Sequence, residues 1–429
     1  MYFVKMGIVN VVIVVNKKKI VLILLIIIIL IMAIFMFIFT INNKKVDNMV
    51  LLPNFVGKDI SEVKDFVSQN EIELNIEEEY SKTVEENKVV SQSVKEGTNI
   101  EEVKTISVVI SKGKIKLETY RENGINEIGN IPVMMYHGIH NLKNSDTSYT
   151  GGNVDKDGYQ RTSEAFRNDL EMYYQKGYRM IRLTDYIDGK IDVEFGKSPI
   201  VITFDDGLEN NVKVTGLDEK GNIIIDPNSA VGILEEFKKK YPDYNITATF
   251  FVNSSLFNQP EYNDKILSWL IDNGYDIGNH SMNHPDFTKI DTIKTQEEIG
   301  GLYKILEDKI PSKYINVVAL PFGSPYKKSH NNFNYIVEGN TNGYKYQTKA
   351  TLRVGWEADY SPFDINFDSL LIKRIRAYDN DGKEFDIKMN FDLLESRKYI
   401  SDGDVNTIVI PNDRKNNLNN EKNLEVITY

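Results

Sequence analysis

The sequence predicts an α/β fold built on a parallel sheet, open or closed into a barrel. Three observations carry that prediction. From about residue 131 onward, short apolar runs rich in β-branched and aromatic residues alternate with amphipathic stretches of helical spacing, the pattern of strand–helix–strand units. Two of the runs, Pro132 to Tyr136 and Ile200 to Phe204, end in chemistry-bearing side chains: His137 after the first, Asp205 and Asp206 after the second. The C-terminal ends of parallel strands are where such folds gather ligands and catalytic groups. The chain also holds no cysteine, so disulfides and thiolate chemistry are excluded and any metal must be bound by His, Asp, Glu or backbone oxygen.

A chain of 429 residues has room for two or three domains. A net charge of −11 without a long basic stripe excludes a nucleic-acid partner. Ile20 to Ile41 carries no charge and is almost wholly Ile, Leu, Val, Met and Phe; as a helix it would run about 33 Å, enough for a bilayer core. Asn42-Asn-Lys-Lys offers no small-residue cleavage site, which argues for a retained anchor over a removed signal peptide. Lys17, Lys18 and Lys19 predict a cytoplasmic N-terminus. Residues 1–45 are thus expected as a cytoplasmic stub and a single-pass span, with everything after them outside the cell membrane.

Residues 46–114 predict a small α+β unit. Apolar positions 60, 63, 66 and 67 have helical spacing; Ile72, Leu74 and Ile76 alternate as a half-buried strand, and Thr105 to Ser111 makes another. Residues 115–130 are polar with two glycines and read as a linker. The last domain, 131–429, continues with a helix over Ser163 to Lys176 capped by Ser163, the Ile200–Phe204 strand and a hairpin around Gly221. A helix over Ala230 to Lys240, a strand over Thr247 to Val252, a helix over Ile266 to Asn273 and a strand over Tyr275 to Gly278 follow.

Asp-Gly after a strand is a common hairpin pair, yet Gly207 also lets the chain turn sharply while Asp205 and Asp206 point different ways into one site. His280 and His284 lie four apart. That spacing puts both on one helix face, or lets both converge on one ion from a tight loop. Pro285 disfavours a helix through His284, which places the pair on a loop.

Two resemblances follow. Leu52-Pro-Asn-Phe-Val-Gly-Lys, Val89-Val-Ser-Gln-Ser-Val-Lys-Glu-Gly-Thr and Ser107-Val-Val-Ile-Ser-Lys-Gly make residues 46–114 similar to a PASTA domain, which implies a peptidoglycan-binding module or a spacer. Thr203-Phe-Asp-Asp-Gly with His280-Ser-Met-Asn-His-Pro resembles the polysaccharide deacetylases, the NodB-homology carbohydrate esterases. That resemblance implies a distorted (β/α) barrel of that type. It also implies a divalent cation, zinc before cobalt, manganese or nickel, on Asp206, His280 and His284, with Asp205 as general base. The family's third motif reads Ala319-Leu-Pro-Phe-Gly here, without its arginine, and no histidine follows His330. Members with a rearranged motif order carry the acid on an early strand; Met135-Tyr-His-Gly matches it and nominates His137, while Ile372-Lys-Arg-Ile nominates Arg374 as the supporting arginine. Backbone N–H groups at Phe322 and Gly323 are expected to face the oxyanion, and Trp356 a sugar.

The function implied is metal-dependent N-deacetylation of a cell-wall or surface polysaccharide, peptidoglycan before poly-N-acetylglucosamine. The alternative is a catalytically silent wall-binding protein.

Overall fold

The computed structural model describes residues 25–38, 50–355, 357–419, 421 and 423–429. Residues 25–38 form helix α1, its large apolar side chains exposed. Among the described residues no helix is long and apolar enough to cross a membrane, and the rest of the Ile20–Ile41 span lies outside them. Beyond α1 the chain divides into two compact units at Lys116 and Leu117.

The smaller unit packs α2 (Ile60–Gln69) on a sheet of β1 (Glu73–Glu79), β2 (Val89–Gln92) and β3 (Thr105–Ser111), with β3 central. Asp59 caps α2, and the helical spacing buries Ile60, Val63 and Val67 against Ile106 and Val108.

Residues 117–130 are not a linker but part of the larger unit. They open with α3 (Leu117–Glu122), where Tyr120 packs beside Phe195 and Tyr429. Glu127 is buried and accepts hydrogen bonds from Tyr399 Oη and the Val409 N–H. The polar composition that suggested a linker supplies these buried bonds.

In this unit β4 (Val133–Tyr136) leads to the short parallel pair β5 (Ile139–His140) and β6 (Arg161–Thr162). There follow α4 (Ser163–Gln175), β7 (Tyr178–Met180), α5 (Leu183–Asp188) and β8 (Ser198–Phe204). The cap of α4 is Thr162 rather than Ser163, its Oγ1 accepting the Ala165 N–H at 3.0 Å. A hairpin of β9 (Val214–Leu217) and β10 (Ile223–Ile225) precedes α6 (Ala230–Lys240), β11 (Thr249–Val252), α7 (Asn263–Asp272) and β12 (Asp276–Asn279). Then come α8 (Thr292–Lys309), β13 (Val317–Ala319), α9 (Phe333–Val337), a hairpin of β14 (Glu338–Thr341) and β15 (Tyr344–Gln347), and β16 (Ala350–Leu352). The chain ends with β17 (Ile375–Arg376), α10 (Ile387–Leu394) and the parallel pair β18 (Thr407–Ile410) and β19 (Glu425–Thr428).

The parallel sheet runs β16-β13-β12-β11-β8-β4-β17, with β7 beside the first half of β8. A parallel bridge between Leu352 and Ile372 joins its two ends, with Arg353 N–H donating to Ile372 O at 2.8 Å. The sheet is therefore a distorted barrel. Because side chains alternate along a strand, Val133, Val201, Phe251, Val317 and Ile372 enter one core cluster, while Met134, Ile202, Phe250 and Ile375 enter another shared with the helices. Gly278 belongs to the first set: a Cβ there would lie 2.5 Å from the Phe251 ring.

Candidate active site and metal centre

Alternation places the site. Val201, Thr203 and Asp205 share one face, as do Val133, Met135 and His137, and Gly278 and His280. Each interior column thus ends in a polar group at the C-terminal rim. The next residue, Asp206, leaves the pattern with φ 74°, and Gly207 follows at φ 56°, where a Cβ would lie 2.3 Å from the Leu256 carbonyl.

Asp205 is buried beneath the rim. Its carboxylate accepts two bonds from Arg374, Nη1 at 2.8 Å and Nη2 at 2.7 Å. Arg374 is itself fully buried, donating also to Thr203 Oγ1 at 3.2 Å and, through Nε, to the Arg353 carbonyl at 2.8 Å. With Ala319 before Leu320, the guanidinium beside Asp205 comes instead from Arg374, one residue ahead of β17. Burial would push the Asp205 carboxyl up, but the Arg374 guanidinium, followed by His280, holds it well below the usual carboxylate range.

Asp206, His280 and His284 converge. Their candidate ligand atoms all lie within 4.8 Å of one another, with Asp206 Oδ1 at 3.3 Å from His280 Nε2 and 3.6 Å from His284 Nε2. His280 Nδ1 is 2.8 Å from the Ala319 carbonyl, so it carries the proton and Nε2 presents its lone pair. That Nε2 is buried without a hydrogen-bond partner. An orphaned imidazole nitrogen beside a carboxylate and a second imidazole is a donor set that fits a divalent cation of the zinc type. His284 has φ 54° and sits on a loop, as Pro285 required. Buried Glu298 on α8 supports this loop, accepting the Asn283 N–H at 2.8 Å and its Nδ2 at 2.9 Å. The sequence reading missed Glu298, since a mid-helix glutamate looks like any solvated one.

His137 stands at the end of β4. Its Nδ1 is buried with no hydrogen-bond partner, and its ring meets Tyr159 edge to face at 5.0 Å. Burial pushes its pKa down against the pull of Asp205 and Asp206. Phe322, at φ 57°, is exposed and packs its ring on His284 at 4.7 Å. The Gly323 N–H does not fit an oxyanion role: it donates to the Leu320 carbonyl at 2.8 Å. Trp356 lies outside the described residues.

Residues 50–112 match the PASTA domain, and residues 192–337 match the polysaccharide deacetylase family. The second match contains Asp205, Asp206, His280 and His284; His137 and Arg374 lie outside it. Among solved structures, the chain is similar to the deacetylase PplD of Streptococcus pyogenes at 17% identity, over 58% of this chain and 92% of that one, with a TM-score of 0.42. It is similar to IcaB of Ammonifex degensii at 16% identity, over 58% and 92%, with a TM-score of 0.37. The peptidoglycan deacetylase PdaC of Bacillus subtilis matches at 23% identity, over 32% and 52%, with a TM-score of 0.21.

Proposed function

We propose, from the premise that this chain joins a PASTA domain to a polysaccharide N-deacetylase domain of the hydrolase class, that it removes acetyl groups from N-acetylated amino sugars of peptidoglycan. The reaction is metal-dependent. The observation that carries this reading is one rim holding both an Asp206/His280/His284 trio and, beside it, a carboxylate locked by Arg374. A divalent cation on the trio, zinc in the first instance, would polarise the acetyl carbonyl and acidify water.

The chain's own groups supply the rest. Asp205, ionised and oriented by two bonds from Arg374, takes the proton of the attacking water. The N–H of Phe322, whose ring packs on His284, is the oxyanion donor in this scheme. His137 protonates the departing amine as the C–N bond breaks, so acetate and a free amino sugar leave. The PASTA domain supports peptidoglycan as the polymer. The uncharged Ile20–Ile41 run, with lysines before it, supports a single-pass anchor in the cell membrane with both domains outside.

The test is acetate release from peptidoglycan by the full chain in detergent, before and after chelation and zinc return. Asp206→Asn is expected to lose metal and activity together. His137→Gln is expected to keep its metal and lose about 10²- to 10⁴-fold in kcat. No metal-dependent release from any acetylated glycan would defeat the proposal.

A further inference from the structure

Arg376 carries a positive charge at the barrel mouth that the mechanism above does not use. It lies two residues beyond Arg374 on β17, and alternation puts both on the face that Ile372 presents to the barrel interior, Arg376 nearer the rim. β17 pairs with β4, Arg376 opposite Met135, so the residue stands beside the strand that ends in His137.

Two rings hold it there. The Arg376 guanidinium lies 4.8 Å from the Tyr159 centroid and 4.6 Å from that of Tyr378. Tyr159 is the ring that also meets His137. One aromatic ring therefore separates the candidate acid from a cation. Among the described residues no ion pair and no side-chain hydrogen bond engages Arg376, in contrast to Arg161, which binds Asp169 and Asp379, and Arg374, which binds Asp205. The half-buried guanidinium is thus oriented by cation–π contacts while its N–H edges stay free. Such a group is preorganised for a carboxylate, which it can grip with two bonds at little further ordering cost.

We infer that Arg376, with Tyr159 and Tyr378, recognises a carboxylate on the glycan next to the acetamide being cleaved. The inference rests on the deacetylase reading and deepens it: the substrate class becomes an acidic glycan, such as peptidoglycan strands freed of their stem peptides, whose muramic acid carries a free lactyl carboxylate, rather than a neutral N-acetylglucosamine polymer.

The test compares kcat/KM of the full chain on a muramic-acid oligosaccharide and on the same oligosaccharide with its carboxylates amidated. An N-acetylglucosamine–uronic acid oligomer, intact and amidated, is assayed alongside. The wild type is expected to prefer an intact glycan by about tenfold, the worth of one charge-assisted contact. That ratio should fall toward one in Arg376→Gln and recover in part in Arg376→Lys. The better of the two acids identifies the source of the carboxylate. A wild-type ratio near one, or an unchanged ratio in Arg376→Gln, overturns the inference and leaves the deacetylase reading standing. Calorimetric binding of the muramic-acid oligosaccharide is measured in parallel. If no acetate is released but Arg376→Gln weakens binding of the intact oligosaccharide and not of the amidated one, the carboxylate contact stands and the catalytic reading falls; equal binding in both proteins without turnover defeats both.

Discussion

Replacing Arg374 with methionine tests the core of the site. The substitution keeps much of the volume and removes both bonds to Asp205, together with those to Thr203 and the Arg353 carbonyl. Both partners are buried, with side-chain exposures of 0% and 2%. The variant therefore strands a carboxylate in a low-dielectric rim, which costs about 3 to 5 kcal/mol when one member of a buried pair is removed. Two consequences separate the electrostatic account from simple misfolding. Without its strongest cation Asp205 titrates higher, so any residual activity should shift its acidic limb to higher pH, with kcat down by at least about 10²-fold. And Asp205→Asn added to Arg374→Met should restore stability, because the stranded charge is gone. Denaturant unfolding of the wild type, both single variants and the double variant gives the coupling energy, expected at about 2 to 3 kcal/mol. A loss below about 1 kcal/mol in Arg374→Met, or a double variant no more stable than that single one, would refute the reasoning.

Two further outcomes are expected. Asp359 is buried and accepts from Tyr186 Oη at 3.2 Å; burial pushes its pKa from 3.8 up to about 7. The folded state then binds more protons than the unfolded one between those values, so stability falls as pH rises through them, by up to about 4 kcal/mol. Melting temperatures from pH 4 to 8 should show that slope in the wild type and lose it in Asp359→Asn; parallel curves would contradict it. Gly278→Ala drives a methyl against the Phe251 ring and should cost about 1 to 3 kcal/mol by urea unfolding, with a second change of Phe251→Leu recovering part of it. Equal stability of Gly278→Ala and wild type would refute that packing.

The strands that carry chemistry were legible because they are short, apolar and punctuated by residues that have no business in a core. Asp205, Asp206, His280 and His284 read as one site from the sequence, and Arg374 is nominated there by a loose local match. What the match could not convey was its geometry, since Asp205 and Thr203, which its Nη1 binds, lie 169 and 171 residues away. The 18-residue α8 escaped notice because Gly300 and Gly301 interrupt its interior. They are there because a Cβ at 300 would strike Tyr346 at 2.7 Å and one at 301 would crowd Met282 at 3.1 Å. Residues 117–130 misled for the opposite reason: a buried glutamate bonded to distant backbone has the composition of an exposed connector.

Arg374 arrives late in the chain, between the Leu352–Ile372 bridge and β17. A chain ending at residue 352 contains Asp206, His280 and His284 but lacks the guanidinium that grips the Asp205 carboxylate. The orientation of that carboxylate is in this way tied to completion of the ring, because its two bonds come from a residue that follows every strand of the sheet but β17.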